Sequence, residues 1–169
     1  MIPVITIEGA TASGKTALAI ELAEILKTEI ISADSRQVYR YLDIGTAKVT
    51  KEEQKRAFHH LIDIINPDES YNAGTFASDA AAIIEKLHSE GKIPIICGGT
   101  GLYIKALLNG LFTLPPLPKK IRENLKQRFK EEGLAPLYSE LQQLDPDFAC
   151  KISENDTQRI LRGLEVALG

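Results

Sequence analysis

Eight residues near the start of the chain, Gly9-Ala10-Thr11-Ala12-Ser13-Gly14-Lys15-Thr16, follow the spacing G-x-x-x-x-G-K-[ST]. They stand between a β-branched run, Val4-Ile5-Thr6-Ile7, and a helical stripe through Ala17, Leu18, Ile20, Leu22, Ala23, Ile25 and Leu26. Strand, loop and helix in that order are the context in which the motif carries meaning. Glycine lets the backbone wrap an anion, successive amides and the helix N-terminus point at it, and Lys15 adds a mobile charge. The Thr16 hydroxyl can reach a Mg²⁺. Binding of a di- or triphosphate follows, but not what is done to it.

A second reactive group is Asp34, at the end of the run Glu29-Ile30-Ile31-Ser32-Ala33-Asp34. In an open α/β sheet the ligand lies beyond the carboxyl ends of the strands, and a carboxylate there can take a proton from an incoming nucleophile. It can equally cap the turn opened by Ser35, Arg36 and Gln37. Both readings stay open. Further on, Cys97-Gly98-Gly99-Thr100-Gly101-Leu102-Tyr103 permits close backbone approach, with Thr100 either donating to a phosphate oxygen or capping a helix. Ile44-Gly45-Thr46-Ala47-Lys48 is a loop without generic chemical meaning, and His59, His60 and His88 lack partners at metal-ligand spacing, so they read as structural or surface groups. Gln158, Arg159 and Arg162 lie together on the last helix, where the two arginines either clamp a phosphate or form surface ion pairs.

These groups need elements to position them. Three further apolar runs, at 29–34, 60–65 and 93–97, read as strands, and Phe76, Ala80, Ile83, Ile84 and Leu87 form a helical stripe between the last two. Near-continuous apolar strands alternating with helices give a parallel, doubly wound α/β sheet covered on both faces. The stiff segment Leu114-Pro115-Pro116-Leu117-Pro118 marks a boundary, beyond which 119–132, 134–144 and a stretch from about Asn155 all read as helices. The first of these carries six cations and one carboxylate over 119–130, with Ile121, Leu125 and Phe129 at helical spacing. It is a basic amphipathic helix, suited either to a solvated face or to a polyanion. The last ends on an apolar face with no further element to cover it, so the chain reads as part of something longer.

Composition narrows the class. With 169 residues, 44% hydrophobic, 25% charged, 2 Cys and a net charge of -3, disordered, fibrous and disulfide-scaffold classes are excluded. The charge is uneven: residues 1–118 hold 11 basic and 14 acidic side chains, and 119–169 hold 9 of each. No apolar run is long enough to span a membrane, the first residues have no signal-peptide pattern, and the two cysteines form no close pair. A reducing cytoplasm is the expected setting.

Five segments together, GATASGKT, ISADSRQVYRYLDIGTAK, HHLIDIINPDESYNAGTF, GGTGLYIKALLNGL and NDTQRILRGLEV, resemble in order and spacing the bacterial tRNA dimethylallyltransferases, also called tRNA isopentenyltransferases. The resemblance covers essentially the whole chain, and about the N-terminal half of a typical member. It implies a P-loop NTPase-like α/β core over 1–113, a small all-helical insertion facing tRNA over 114–152, and a helix over 153–169 returning to the core. It implies transfer of a dimethylallyl group from dimethylallyl diphosphate to N6 of the adenine next to the anticodon, releasing diphosphate, with Mg²⁺ as cofactor. Carried over by position, Gly9, Ala10, Thr11, Ala12, Ser13, Gly14, Lys15 and Thr16 hold the diphosphate, Thr16 also the metal, and Asp34 accepts the proton. Thr100 lies near the reacting groups, Ser35, Arg36 and Gln37 grip the target nucleotide, and Arg122 with Gln158, Arg159, Ile160, Leu161 and Arg162 contact the tRNA anticodon stem-loop. A monomer without membrane contact is expected. The rival readings are a P-loop small-molecule kinase that binds ATP, and a truncated fragment that binds diphosphate and RNA without turnover.

Overall fold

The computed structural model describes residues 3–111 and 117–169. It divides into two compact units, Met1–Phe112 and Thr113–Gly169. In the first, β1 (Ile5–Glu8), β2 (Ile30–Ser32), β3 (His59–His60) and β4 (Ile95–Gly98) form one sheet in the order β1-β4-β2-β3, with every pair parallel. Helices α1 (Lys15–Leu26), α2 (Lys51–Arg56), α3 (Ala73–Ser89) and α4 (Gly101–Asn109) connect and cover the strands. Among the described residues no helix is long and apolar enough to cross a membrane.

The alternation of side chains along each strand accounts for the unbroken apolar runs. Ile31 and Ile96 enter a core with Phe76, Ala80, Tyr103 and Ile104 from α3 and α4. Their neighbours Ile30, Ile95 and Cys97 enter a second core with Ala19, Ile20 and Ala23 from α1. Both faces are therefore dry, as a parallel sheet requires.

The expected strand over 60–65 is cut short. After His60 the backbone turns, with Leu61 at φ 61° and Asp63 at φ 55°, and Asp63 and Ile64 donate to the Gln37 and Val38 carbonyls. β2 has already ended at Ser32, so these residues find their partners in the turn that follows it rather than in a ladder. The short helix α2, which the apolar pattern did not signal, is held by a capping box between Thr50 and Glu53 and has no buried residue.

The second unit contains α5 (Lys119–Glu132), α6 (Leu134–Leu144), the single turn α7 (Pro146–Ala149) and α8 (Thr157–Ala167). Gly133 and the pair Asp145-Pro146 close the helices where expected. Of the proline segment 114–118, residues 114–116 lie outside those described, and Pro118 stands at the start of α5. Ile160 and Leu164 of α8 are fully buried with Leu125, Leu137, Leu141 and Ala149, so α8 closes the helical core. Gly163 makes this contact close: a Cβ there would stand 2.9 Å from Leu141 and Phe148 side-chain atoms.

Candidate functional site

The loop between β1 and α1 is shaped by two left-handed residues, Ala12 at φ 64° and Gly14 at φ 84°. Gly14 is also the N-cap of α1, yet no side chain caps that helix and its first turn carries no acid. Its first amides and the positive end of its dipole are left for an anion. Lys15 Nζ donates to the Ala10 carbonyl across the loop. α4 likewise begins without a side-chain cap. By contrast α2 and α3 are capped by Thr50 and Asn72.

A cavity of about 300 Å³ lies at this end of the sheet. Residues 11–17 form its phosphate-loop wall, Gly98 and Gly99 lead into it from β4, and Asp34 and Gln37 face it from the end of β2. Gly9, Ala10, Ser35, Arg36 and Thr100 are not in its wall.

Both readings of Asp34 meet here. Its Oδ1 accepts from the amides of Arg36 at 2.8 Å and Gln37 at 3.3 Å, so the capping role is real, while the half-buried carboxylate still borders the cavity. Thr100 stands at the N-cap of α4 but its side chain does not cap the helix. Its Oγ1 accepts from the Ser35 amide at 2.9 Å and lies 3.3 Å from the Ser35 hydroxyl, which ties the Asp34 turn to the start of α4.

Gln37 is buried and faces inward. Its Nε2 donates to the carbonyls of Thr46 and Ala47, at 3.4 and 3.0 Å. The loop 44–48, without chemical meaning as sequence, is thereby a wall of the cavity, to which it contributes Thr46 and Ala47. Lys48 locks it. The ammonium, on a side chain only 5% exposed, donates to the Tyr39 carbonyl and to carboxylates of Asp43 and Asp63, at 2.8, 2.7 and 2.6 Å. Burial alone would lower its pKa, and the two carboxylates more than offset that, so the net shift is upward. Lys48→Met should destabilise the α/β unit by about 2 kcal/mol, because it strands the Tyr39 carbonyl and the Asp63 carboxylate. Urea unfolding checks this, and a loss below about 0.5 kcal/mol would mean that the network behaves as an ordinary surface ion pair.

The basic helix does not present all its charge. Arg128 is held by Glu132 and Glu140, at 3.2 and 2.7 Å. Arg122 instead forms a two-point pair with Glu165 of α8, Nε to Oε1 at 2.8 Å and Nη2 to Oε2 at 3.2 Å, and Arg162 Nη1 reaches the same Oε2 at 2.8 Å. Arg159 pairs with Asp156. The ion-pair reading of Arg159 and Arg162 is thus realised, although both guanidinium groups stay exposed. Gln158 is exposed as well, whereas Ile160 is fully buried and Leu161 packs against the helical core. Within 158–162 only the three polar side chains face outward.

The model of the IPP transferase family matches residues 37–169. The chain belongs to the IPP transferase family. It is similar to the tRNA dimethylallyltransferase of Desulfotalea psychrophila, 45% identical over 164 residues that make up 97% of this chain and 52% of that relative. Among solved structures, the tRNA isopentenylpyrophosphate transferase of Bacillus halodurans aligns with a TM-score of 0.66 and 38% identity, over 98% of this chain and 55% of that one. A eukaryotic dimethylallyltransferase acting on tRNA aligns with a TM-score of 0.81 and 34% identity, over 98% and 41%. This IPP transferase chain therefore spans about half the length of the curated relatives it matches.

Sequence reasoning missed several residues of the IPP transferase cavity: Ser32, Thr46, Ala47, Val49, Glu53, His59 and Cys97. Ser32 and Cys97 carried a signal as strand-end residues, Thr46, Ala47 and His59 only as members of segments shared with the family, and Val49 and Glu53 carried none. His59 does more than fill space. Its Nδ1 lies 2.8 Å from the Ala57 carbonyl, and burial lowers its pKa, which keeps the ring neutral in the cavity wall. Burial pushes the Cys97 thiol up, partly offset by the charge of Lys15. The other two histidines are structural as expected: His60 pairs with Glu29 at 2.7 Å, and His88 Nε2 lies 3.0 Å from the Pro3 carbonyl.

Proposed function

We propose that this chain holds dimethylallyl diphosphate in the loop cavity and directs its allylic carbon to the exocyclic N6 amine of the adenine next to the anticodon in a tRNA. The observation that carries this reading is one cavity that joins the uncapped N-terminus of α1 to the carboxylate of Asp34, while the other carboxylate of its wall, Glu53, is engaged by the Thr50 amide and hydroxyl. Diphosphate is the leaving group. As the bond from carbon to the bridging oxygen breaks, negative charge grows on the diphosphate, where the α1 amides and Lys15 oppose it. The new bond forms between that carbon and N6. Asp34 then takes the N6 proton: Oδ1 is occupied by two amides, which leaves Oδ2 for it. An exocyclic adenine amine is a poor nucleophile, so holding it in line beside the carboxylate contributes more than basicity alone.

Among the described residues no three His, Cys, Asp or Glu side chains cluster as a metal cage. The Thr16 hydroxyl in the cavity wall would hold a Mg²⁺, which would supply further charge neutralisation of the leaving diphosphate. The target base must leave the anticodon stack to be reached, and Ser35, Arg36 and Gln37 border its path. A tRNA substrate is in keeping with a cytoplasmic enzyme.

Calorimetric titration of the chain with dimethylallyl diphosphate and, separately, with ATP tests the reading. Binding of the allylic diphosphate in preference to ATP is expected, while tight ATP binding with no response to the allylic compound would favour a kinase. A transfer assay on unmodified tRNA, run with this chain and with a protein of the relatives' full length, separates an active unit from a fragment that only binds.

A further inference from the structure

Glu165 is a carboxylate on α8 whose side chain is only 10% exposed, and it is shared by two arginines that come from different helices, Arg122 of α5 and Arg162 of α8. The arginine side chains themselves are 59% and 48% exposed. A guanidinium has five N–H donors in a rigid plane. Arg122 spends Nε and Nη2 on Glu165, and Arg162 spends Nη1, so each keeps a donor edge facing solvent. Because Nη2 of Arg122 and Nη1 of Arg162 bond the same oxygen, Oε2, the two cations are held side by side against their mutual repulsion. Hydrogen bonds from Arg122, and then from Arg162, hold the Glu165 carboxyl below the usual carboxylate range despite its burial.

We infer that Glu165 is a positioning residue: it aims the free edges of Arg122 and Arg162 at one phosphodiester of the bound RNA. This rests on the tRNA reading above and adds to it a residue that touches no RNA. Two forked donors converging on one phosphate match its two non-bridging oxygens, a geometry that flexible unpaired arginines would reach only at an entropic cost.

The idea has a signature opposite in sign to simple electrostatics. Glu165→Gln removes a negative charge beside two cations. If Glu165 merely neutralised them, the variant would bind RNA more tightly. If it positions them, binding weakens although the site becomes more positive, because the amide accepts from one arginine and turns its own donors toward the other. We expect retention of an unmodified anticodon stem-loop by the whole chain to fall roughly tenfold, with a shallower dependence on salt. Arg122→Lys keeps the charge and loses the fork, and should weaken binding in the same direction. It also decides the matter alone if circular dichroism shows that E165Q does not fold. Unchanged or tighter binding by E165Q, or an unaffected Arg122→Lys, overturns the positioning role while leaving the tRNA reading intact. A wild-type chain that retains no stem-loop at low salt overturns both.

Discussion

Gly98→Ala is expected to collapse the α/β unit's stability rather than trim it. A Cβ at this position would stand 2.1 Å from the Ala33 carbonyl oxygen and 2.4 Å from its carbon. No side chain can move aside, because the obstacle is backbone, and that backbone is itself fixed. The Ala33 amide donates to Cys97 at 2.8 Å, and its carbonyl accepts from Thr100 at 3.1 Å. The loss should lie at or beyond the upper end of the about 1–3 kcal/mol typical of overpacking. Displacing Ala33 also displaces Asp34, so ligand binding should go with it. Gly101→Ala is the control: its Cβ would meet nothing within 4 Å and it opens α4, so the substitution should be neutral or stabilising. Equilibrium unfolding of both variants decides, and a Gly98→Ala protein as stable as the wild type would mean that the strand end and the Asp34 turn do not approach as described.

The second large effect concerns chemistry and needs a protein competent for transfer. Asp34 caps the 35–37 turn and, in the proposed reaction, accepts the proton, and two substitutions separate these tasks. Asn keeps an oxygen for the Arg36 and Gln37 amides but loses the base, so Asp34→Asn should lower the transfer rate by about 10²–10⁴ while leaving diphosphate affinity near wild type. Asp34→Ala loses the cap too, which frees Gln37 and through it the Thr46–Ala47 wall, so this variant should also bind substrate more weakly. Single-turnover transfer and calorimetry measure the two halves. Should Asp34→Asn turn over within tenfold of wild type, the proton goes elsewhere.

What the sequence made legible was what neighbours in the chain determine together. The loop 9–16 needs only its own spacing and a strand and helix on either side, and the stops at Gly133 and Asp145-Pro146 are equally local. Apart from the short helix α2, a local element without an apolar pattern, what was not legible involves a partner far away in sequence. An apolar stretch such as 60–65 says strand, but β2 ends too early to pair with it, and its backbone turns to meet Gln37 and Val38. The amphipathic face of α8 says only that it will be buried, not that Leu125, Leu137 and Leu141 will bury it. Lys48 looked like any loop cation because its meaning lies in Asp63, 15 residues on, and in a carbonyl 9 residues back. Gln37, expected to grip the target nucleotide, also ties the loop wall through the Thr46 and Ala47 carbonyls, partners nine and ten residues away.

The bare start of α1 has a thermodynamic consequence. An anion bound in the loop would close the helix end that no side chain closes, and would so become a structural member of the fold whose concentration enters the folding equilibrium. By mass action a ligand that binds only the folded chain adds roughly 2.7 kcal/mol of stability at a hundredfold excess over its dissociation constant. Occupancy and foldedness then rise together, and if the ligand is the proposed allylic diphosphate, its supply in a cell would govern how much of this chain survives.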